Sequence, residues 1–68
     1  MIEFKVGDII DHKASLYLRY IIDVEGDYIY FKAIYKDNFQ FLKEVYKQNK
    51  LIFKDYIKVS DKIKAELL

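Results

Sequence analysis

The fold is decided by residues Tyr17 to Tyr35, which read YLRYIIDVEGDYIYFKAIY. Two runs rich in β-branched and aromatic residues flank Gly26 and Asp27, a pair that tolerates the positive backbone angles of a tight turn. This pattern predicts two antiparallel β-strands joined by a two-residue turn. We expect this central hairpin to organise the rest of the chain.

Residue spacing also predicts the register of the hairpin. With Gly26 and Asp27 in the turn, Glu25 faces Tyr28 across the two strands. The following pairs are then Val24 with Ile29, Ile22 with Phe31, Tyr20 with Ala33, and Leu18 with Tyr35. Because side chains alternate between the faces of a strand, these residues form one apolar row that predicts the core side.

The other face of the predicted hairpin has a mixed character. It combines aromatic rings, cations and aliphatic side chains with the acids Asp23 and Glu25. The candidate binding residues on this face are Tyr17, Arg19, Ile21, Tyr28, Tyr30, Lys32 and Ile34.

Length and composition limit the class of protein. A chain of 68 residues has room for one domain, residues 1–68, and the absence of cysteine excludes disulfides and thiolate metal sites. The N-terminus lacks the apolar run of a signal peptide and no apolar run is long enough to span a bilayer, so we expect a cytoplasmic protein without membrane insertion. The formal net charge is +1, so a nucleic-acid site would need a local basic patch.

Outside the hairpin, the pattern predicts further strands and two helices. Phe4 to Ile10 reads FKVGDII, an extended segment that Gly7 bends, and Leu51, Phe53, Ile57 and Val59 suggest late strands. Apolar residues spaced three and four apart from Phe39 predict an amphipathic helix that ends near Asn49, with a strand over Phe39 to Leu42 as the alternative. Ser60 and Asp61 predict the start of a short C-terminal helix through Leu68.

The FKVGDII opening, the hairpin and a late strand at Tyr56 to Val59 together resemble an SH3-like small β-barrel. Domains of this type include KOW and Tudor-like modules, domains of bacterial regulators that dock on RNA polymerase, and small phage proteins. The loop from His12 to Leu16 has no glycine where a KOW motif has one, so the resemblance implies the fold and no site residues. We therefore expect a mostly β, SH3-like barrel of the α+β class.

The sequence contains little that predicts catalysis. His12 is the single histidine, threonine and cysteine are absent, and no serine has a base and an orienting group nearby in the pattern. The carboxylate groups, Asp8 with Asp11 and Asp23 with Glu25 and Asp27, lack the ligand spacing of a calcium loop. We therefore predict no enzyme activity, no catalytic residues, no metal site and no cofactor.

Three interpretations of the mixed face stay open. Tyrosine and arginine are enriched where proteins bind proteins, and rings with cations on a sheet also bind single-stranded nucleic acid. Asp23 and Glu25 would repel phosphate, which favours a protein partner and the role of a small bacterial or phage regulator or inhibitor. The third interpretation is a structural homo-oligomer without a separate ligand, in which the apolar run Tyr28–Tyr35 would pair with its copy at a sheet edge. We favour a monomer over this dimer.

Overall fold

The computed structural model describes residues 3–59, which form one antiparallel sheet of five strands. The strands are β1 (Ile9–Asp11), β2 (Tyr17–Glu25), β3 (Tyr28–Tyr35), β4 (Phe41–Asn49) and β5 (Ile57–Lys58), with a 3₁₀ turn at Lys50–Phe53. They lie in the order β4-β3-β2-β1-β5. The prediction of a mostly β fold around the hairpin of β2 and β3 is confirmed.

The predicted register of the hairpin agrees with the structure only next to the turn. Glu25 pairs with Tyr28 and Val24 with Ile29, as predicted, and Gly26 adopts a φ of 60° in the turn. Ile22 is then an extra residue on β2, a β-bulge that shifts the register by one.

Beyond the bulge, the predicted pairs are wrong. Ile22 with Phe31, Tyr20 with Ala33, and Leu18 with Tyr35 are replaced by Ile21 with Phe31, Tyr20 with Lys32, Leu18 with Ile34, and Tyr17 with Tyr35. A one-residue shift moves every side chain of the first half of β2 to the other face of the sheet.

Both faces of the sheet carry buried apolar residues. On one face, called here the Phe31 face, a cluster contains Phe4, Ile10, Ile21, Ile29, Phe31 and Phe53. On the opposite face, called the Ile34 face, a smaller cluster contains Ile9, Leu18 and Ile34, with Tyr20, Phe39 and Val59 packed against it. The adjacent residues Ile9 and Ile10 point to opposite faces, so even the short β1 contributes to both clusters.

The predicted helix from Phe39 to Asn49 is wrong, because this segment forms β4 and pairs with β3. A tight loop precedes the strand, in which Phe39 adopts a φ of 55° and Asn38 Oδ1 accepts a hydrogen bond from the Gln40 backbone nitrogen at 3.0 Å. The strand shows apolar residues on both of its faces, which produced the three- and four-residue spacing. The predicted C-terminal helix from Ser60 to Leu68 lies outside the described residues.

The edges of the sheet also differ from expectation. β3 lies between β2 and β4, so the run Tyr28–Tyr35 is not an edge that could pair with a copy of itself. Within residues 3–59, the outer strands are β4 and β5. An ion pair of 2.6 Å between Lys36 Nζ and Asp11 Oδ1 fixes the end of β1 to the segment that follows β3.

Candidate binding cleft

The bulge at Ile22 divides the predicted binding residues between the two faces. Tyr17, Arg19 and Ile21 lie on the Phe31 face, whereas Tyr28, Tyr30, Lys32 and Ile34 lie on the Ile34 face. Ile21 and Ile34 are both fully buried and belong to the two clusters, so neither is accessible to a partner. The single mixed surface predicted from the sequence is therefore two separate surfaces.

The Phe31 face carries an open cleft of about 260 Å³. Tyr17 and Arg19 of β2 line one side, and Phe31 and Ala33 of the central β3 form the floor. The residues from β4 that line the other side are Leu42, Tyr46 and Gln48. Because Ala33 carries only a methyl group between longer neighbours, it leaves the floor low enough for a side chain to enter.

Arg19 is the charged residue that lines this cleft. Its Nη1 donates to Ser15 Oγ at 2.9 Å and to the Tyr17 carbonyl oxygen at 3.2 Å. Its guanidinium carbon also lies 5.1 Å from the ring centre of Tyr56, 5.6 Å from Phe53 and 5.7 Å from Phe31. These ring contacts partly replace the water that a half-buried cation loses.

Within residues 3–59, no carboxylate forms an ion pair with Arg19; the ion pairs join lysines to Asp8, Asp11 and Asp27. A guanidinium has five N–H donors, and the bonds to Ser15 and Tyr17 both use Nη1. The Nε and Nη2 donors, which together form one flat edge, have no hydrogen-bond acceptor in the described part of the chain. Such an edge matches the two oxygens of a carboxylate.

Tyr17 and Tyr46 line the cleft, and Tyr35 lies beside Tyr17. The rings of Tyr17 and Tyr35 lie 5.0 Å apart, and a hydrogen bond with Tyr17 raises the pKa of Tyr35 above its usual 10.0. Tyr46 Oη donates to Glu44 Oε2 at 3.0 Å, and this bond, followed by the charge of the carboxylate, raises the pKa of Tyr46. The phenols of Tyr35 and Tyr46 therefore stay protonated at neutral pH.

A second surface lies on the Ile34 face. Lys47 Nζ lies 4.8 Å from the ring centre of Tyr28 and 5.5 Å from that of Tyr30. Lys32 shares this face, but so does Asp23, which is opposite Tyr30 in the sheet. This surface therefore combines tyrosine rings and lysines with the carboxylate of Asp23.

The sequence did not identify the β4 side of the cleft. Leu42, Tyr46 and Gln48 fall within the predicted helix, although all three occupy even-numbered positions of β4 and line the same cleft. Phe31 and Ala33 were assigned to the core and are indeed buried, yet both also form the floor of the cleft. Their alternation with Tyr30 and Lys32 correctly predicts that they share one face; only the pairing with β4 shows that this face also carries a cleft.

The histidine and the carboxylate groups that could serve catalysis or metal binding make structural contacts instead. His12 Nδ1 accepts a hydrogen bond from the Ala14 backbone nitrogen at 3.1 Å, and Asp8 pairs with Lys58 at 3.1 Å. Over residues 3–59, no group of three histidine or acidic side chains is placed to hold a metal ion. No helix in the same range is long and apolar enough to cross a membrane.

Comparisons with protein families, curated proteins and solved structures found no match to this chain.

Proposed function

We propose that this chain is a non-enzymatic binding module that attaches to a larger protein through the cleft on the Phe31 face. The observation that carries the proposal is the combination of Arg19, without an ion-pair partner in residues 3–59, with the rings of Tyr17 and Tyr46 around an apolar floor. Tyrosine and arginine are the residues that contribute most to binding energy at protein interfaces. A cleft of this volume accommodates one or two side chains of a partner. Side chains that contribute strongly to protein binding commonly fill pockets of this kind.

The role of a regulator or inhibitor in a bacterial or phage-infected cytoplasm fits this proposal. A small domain has little area for both a stable core and a substrate pocket, so blocking or recruiting a larger protein needs less surface than catalysis. The absence of cysteine is compatible with a reducing compartment. The proposed role also agrees with the resemblance to small phage and transcription-associated modules.

We further propose that the sheet belongs to a small barrel of the SH3-like type. In support, over residues 3–59 the last strand, β5, pairs with the first, and a short segment with one 3₁₀ turn connects the two outer strands of that range. Phe53 of that turn packs edge to face on Phe31, with ring centres 5.4 Å apart, so the turn covers the Phe31 face. Nuclear Overhauser contacts between β4 and β5 would establish closure of the barrel.

A matched pair of tyrosine substitutions tests the binding proposal. Tyr46 at the cleft and Tyr28 on the Ile34 face are exposed by 38% and 45%, respectively, and lie on neighbouring strands. Tagged protein is used to capture partners from a nuclease-treated lysate of the source cells, and the affinity of the purified partner is then measured. Tyr46→Ala should weaken binding by more than about 1 kcal/mol, whereas Tyr28→Ala should leave it nearly unchanged. The reverse order of effects would show that the wrong face was chosen.

Single-stranded nucleic acid is the second candidate, because Lys47 lies over the rings of Tyr28 and Tyr30. Bases stack on such rings while cations contact phosphates. If this candidate is correct, the affinity for a mixed-sequence oligonucleotide falls steeply as salt is added. Lys47→Gln should then reduce the slope of the logarithm of the binding constant against the logarithm of the salt concentration. Asp23 on the same face and the formal net charge of +1 are the reasons for placing this candidate second.

A further inference from the structure

We infer that the cleft recognises an acidic side chain in an extended peptide segment, with a large apolar residue next to it. This inference rests on the proposed protein-binding function and specifies the chemistry of the partner. It is carried by two features of the cleft, the donor edge of Arg19, which has no acceptor within residues 3–59, and the apolar floor; Glu44, bonded to the lining residue Tyr46, adds a direction.

Arg19 supplies the electrostatic part of the recognition. Its Nη1 is occupied by Ser15 and Tyr17, and this holds the guanidinium in one orientation before any ligand arrives. The rings of Phe53 and Tyr56 further restrict its movement. An arginine that is already ordered loses less conformational entropy on binding, so a carboxylate gains more from pairing with it.

The floor of the cleft supplies the apolar part. Phe31 and Ala33 lie between the β2 side, which carries Arg19, and the β4 side, which carries Leu42. An aromatic or aliphatic side chain placed on Ala33 is therefore next to the guanidinium. A peptide with an apolar residue adjacent to its acid satisfies both features at once.

Glu44 sets the direction of the ligand across the sheet. It is held at the β4 side by the hydrogen bond from Tyr46, while Arg19 lies on the β2 side. Glu44 is not itself a lining residue, but it is bonded to Tyr46, which lines the cleft, so the two opposite charges lie on different strands. The acid of the ligand is expected to point towards β2, and a neutral or basic residue towards β4.

A side-chain carboxylate is favoured over the carboxylate at the end of a peptide. Terminal carboxylates are usually captured by a nest of free backbone N–H groups. The β2 side and the β3 floor of this cleft are paired strands whose backbone groups are engaged in the sheet, so next to β2 a side chain, Arg19, has to provide the donors.

The test is a titration of isotope-labelled full-length protein followed by nuclear magnetic resonance. The probes are acetyl-Ala-Phe-Glu-Ala-amide and the same peptide with Gln in place of Glu, both capped so that they carry no terminal charge. The Glu peptide should shift the Arg19 Nε–H resonance and the Ala33 amide, and it should bind about tenfold more tightly than the Gln peptide, because charge-assisted hydrogen bonds are stronger than neutral ones. This comparison needs no variant, so it does not depend on whether a substitution folds.

Two variants add specificity to the titration. Arg19→Lys keeps the charge but loses the flat donor edge, so it should remove most of the preference for Glu over Gln. Glu44→Gln removes the repelling charge and should leave the binding of the Glu peptide unchanged or slightly tighter. A thermal melt of each variant shows whether the fold is retained.

Several results would overturn the inference. Equal affinity for the two peptides, no binding of either, or tighter binding of acetyl-Ala-Phe with a free carboxylate would each exclude an internal acid as the ligand. Tighter binding of an eight-residue oligothymidylate at the same resonances would assign the cleft to nucleic acid instead. Failure of the peptides while Tyr46→Ala still weakens the captured partner would remove this inference and leave the proposed function standing.

Discussion

Phe31 is the side chain on which the core and the cleft both depend. It is exposed by 5% and contacts the rings of Phe53 and Tyr46, with ring centres 5.4 and 5.6 Å away. It therefore connects the central strand to the 3₁₀ turn on one side and to β4 on the other. Loss of this ring leaves a cavity that the surrounding sheet can fill only in part.

We predict that Phe31→Ala lowers the free energy of unfolding by about 3 to 5 kcal/mol, as for other large buried aromatic residues. A small domain has a total stability of a similar size, so the variant should be largely unfolded. Chemical denaturation monitored by circular dichroism measures the change. An unchanged unfolding midpoint would mean that Phe31 does not lie in the core.

The Tyr46 phenol gives a prediction for pH. Its pKa is raised above 10.0 by the hydrogen bond to Glu44 and by the charge of that carboxylate. A raised pKa in the folded state means that the protonated phenol stabilises the fold. This contribution is complete below the unfolded value of 10.0 and is lost as the pH rises through the higher folded value.

The Tyr46 ring carbon bonded to oxygen reports this titration by nuclear magnetic resonance. Glu44→Gln removes the negative charge, so the Tyr46 pKa should fall towards the unperturbed value, while the pKa of Tyr35 changes less. If Glu44→Gln leaves the Tyr46 titration unmoved, the contact between the two residues is absent in solution.

At the scale of the elements, the bulge in β2 decides which residues face the cleft. Ile21 and Ile22 are adjacent isoleucines, so either one can supply the apolar side chain that packs beside Phe31. The alternation of apolar and polar residues in the sequence fits the register with the bulge and the register without it equally well. Packing against Ile10 and Phe53, which come from distant parts of the chain, selects Ile21 for the core.

A pair of substitutions distinguishes the two registers. Ile21 is fully buried, so Ile21→Ala should cost about 2 to 5 kcal/mol of stability. Ile22 lies in the bulge and is half-buried, so Ile22→Ala should cost clearly less. Equilibrium denaturation of the two variants provides the comparison. A larger loss of stability for Ile22→Ala than for Ile21→Ala would support the register without a bulge.

The sequence predicted the hairpin and its turn because their signals are local. Gly26 with Asp27, flanked by β-branched residues, leaves few alternatives. The helix prediction for β4 failed because Phe41 and Val45 lie on one face of the strand while Leu42 and Tyr46 lie on the other. Two interleaved strand patterns then imitate a helical spacing, and only pairing with β3 resolves them. The candidate site was found in part, since Tyr17 and Arg19 were identified but their partners on β4 were not.

At the scale of the whole molecule, β4 is an outer strand among the described residues 3–59 and could pair with a second copy. Its charged residues oppose this, since an antiparallel pair centred on Val45 places Lys43 of one copy opposite Lys47 of the other. Like charges directly opposite each other are destabilising, and lysine on an edge strand hinders pairing.

We therefore predict a monomer in solution. Sedimentation equilibrium at two widely separated concentrations should give the monomer mass at both. A mass that rises to that of a dimer at the higher concentration would favour the homo-oligomer, and Val45→Lys would then test whether β4 forms the contact.

The central claim is that the chain binds a protein through the cleft of the Phe31 face, and site-specific photo-cross-linking in the source cells tests it most directly. p-Benzoylphenylalanine is placed at position 46 in one variant and at position 28 in another, because both tyrosines are exposed and they lie on opposite faces. The account predicts a discrete protein adduct from position 46, lost on Arg19→Lys, and little or none from position 28. An adduct from position 28 alone, or an adduct from position 46 that nuclease treatment removes, would contradict the claim.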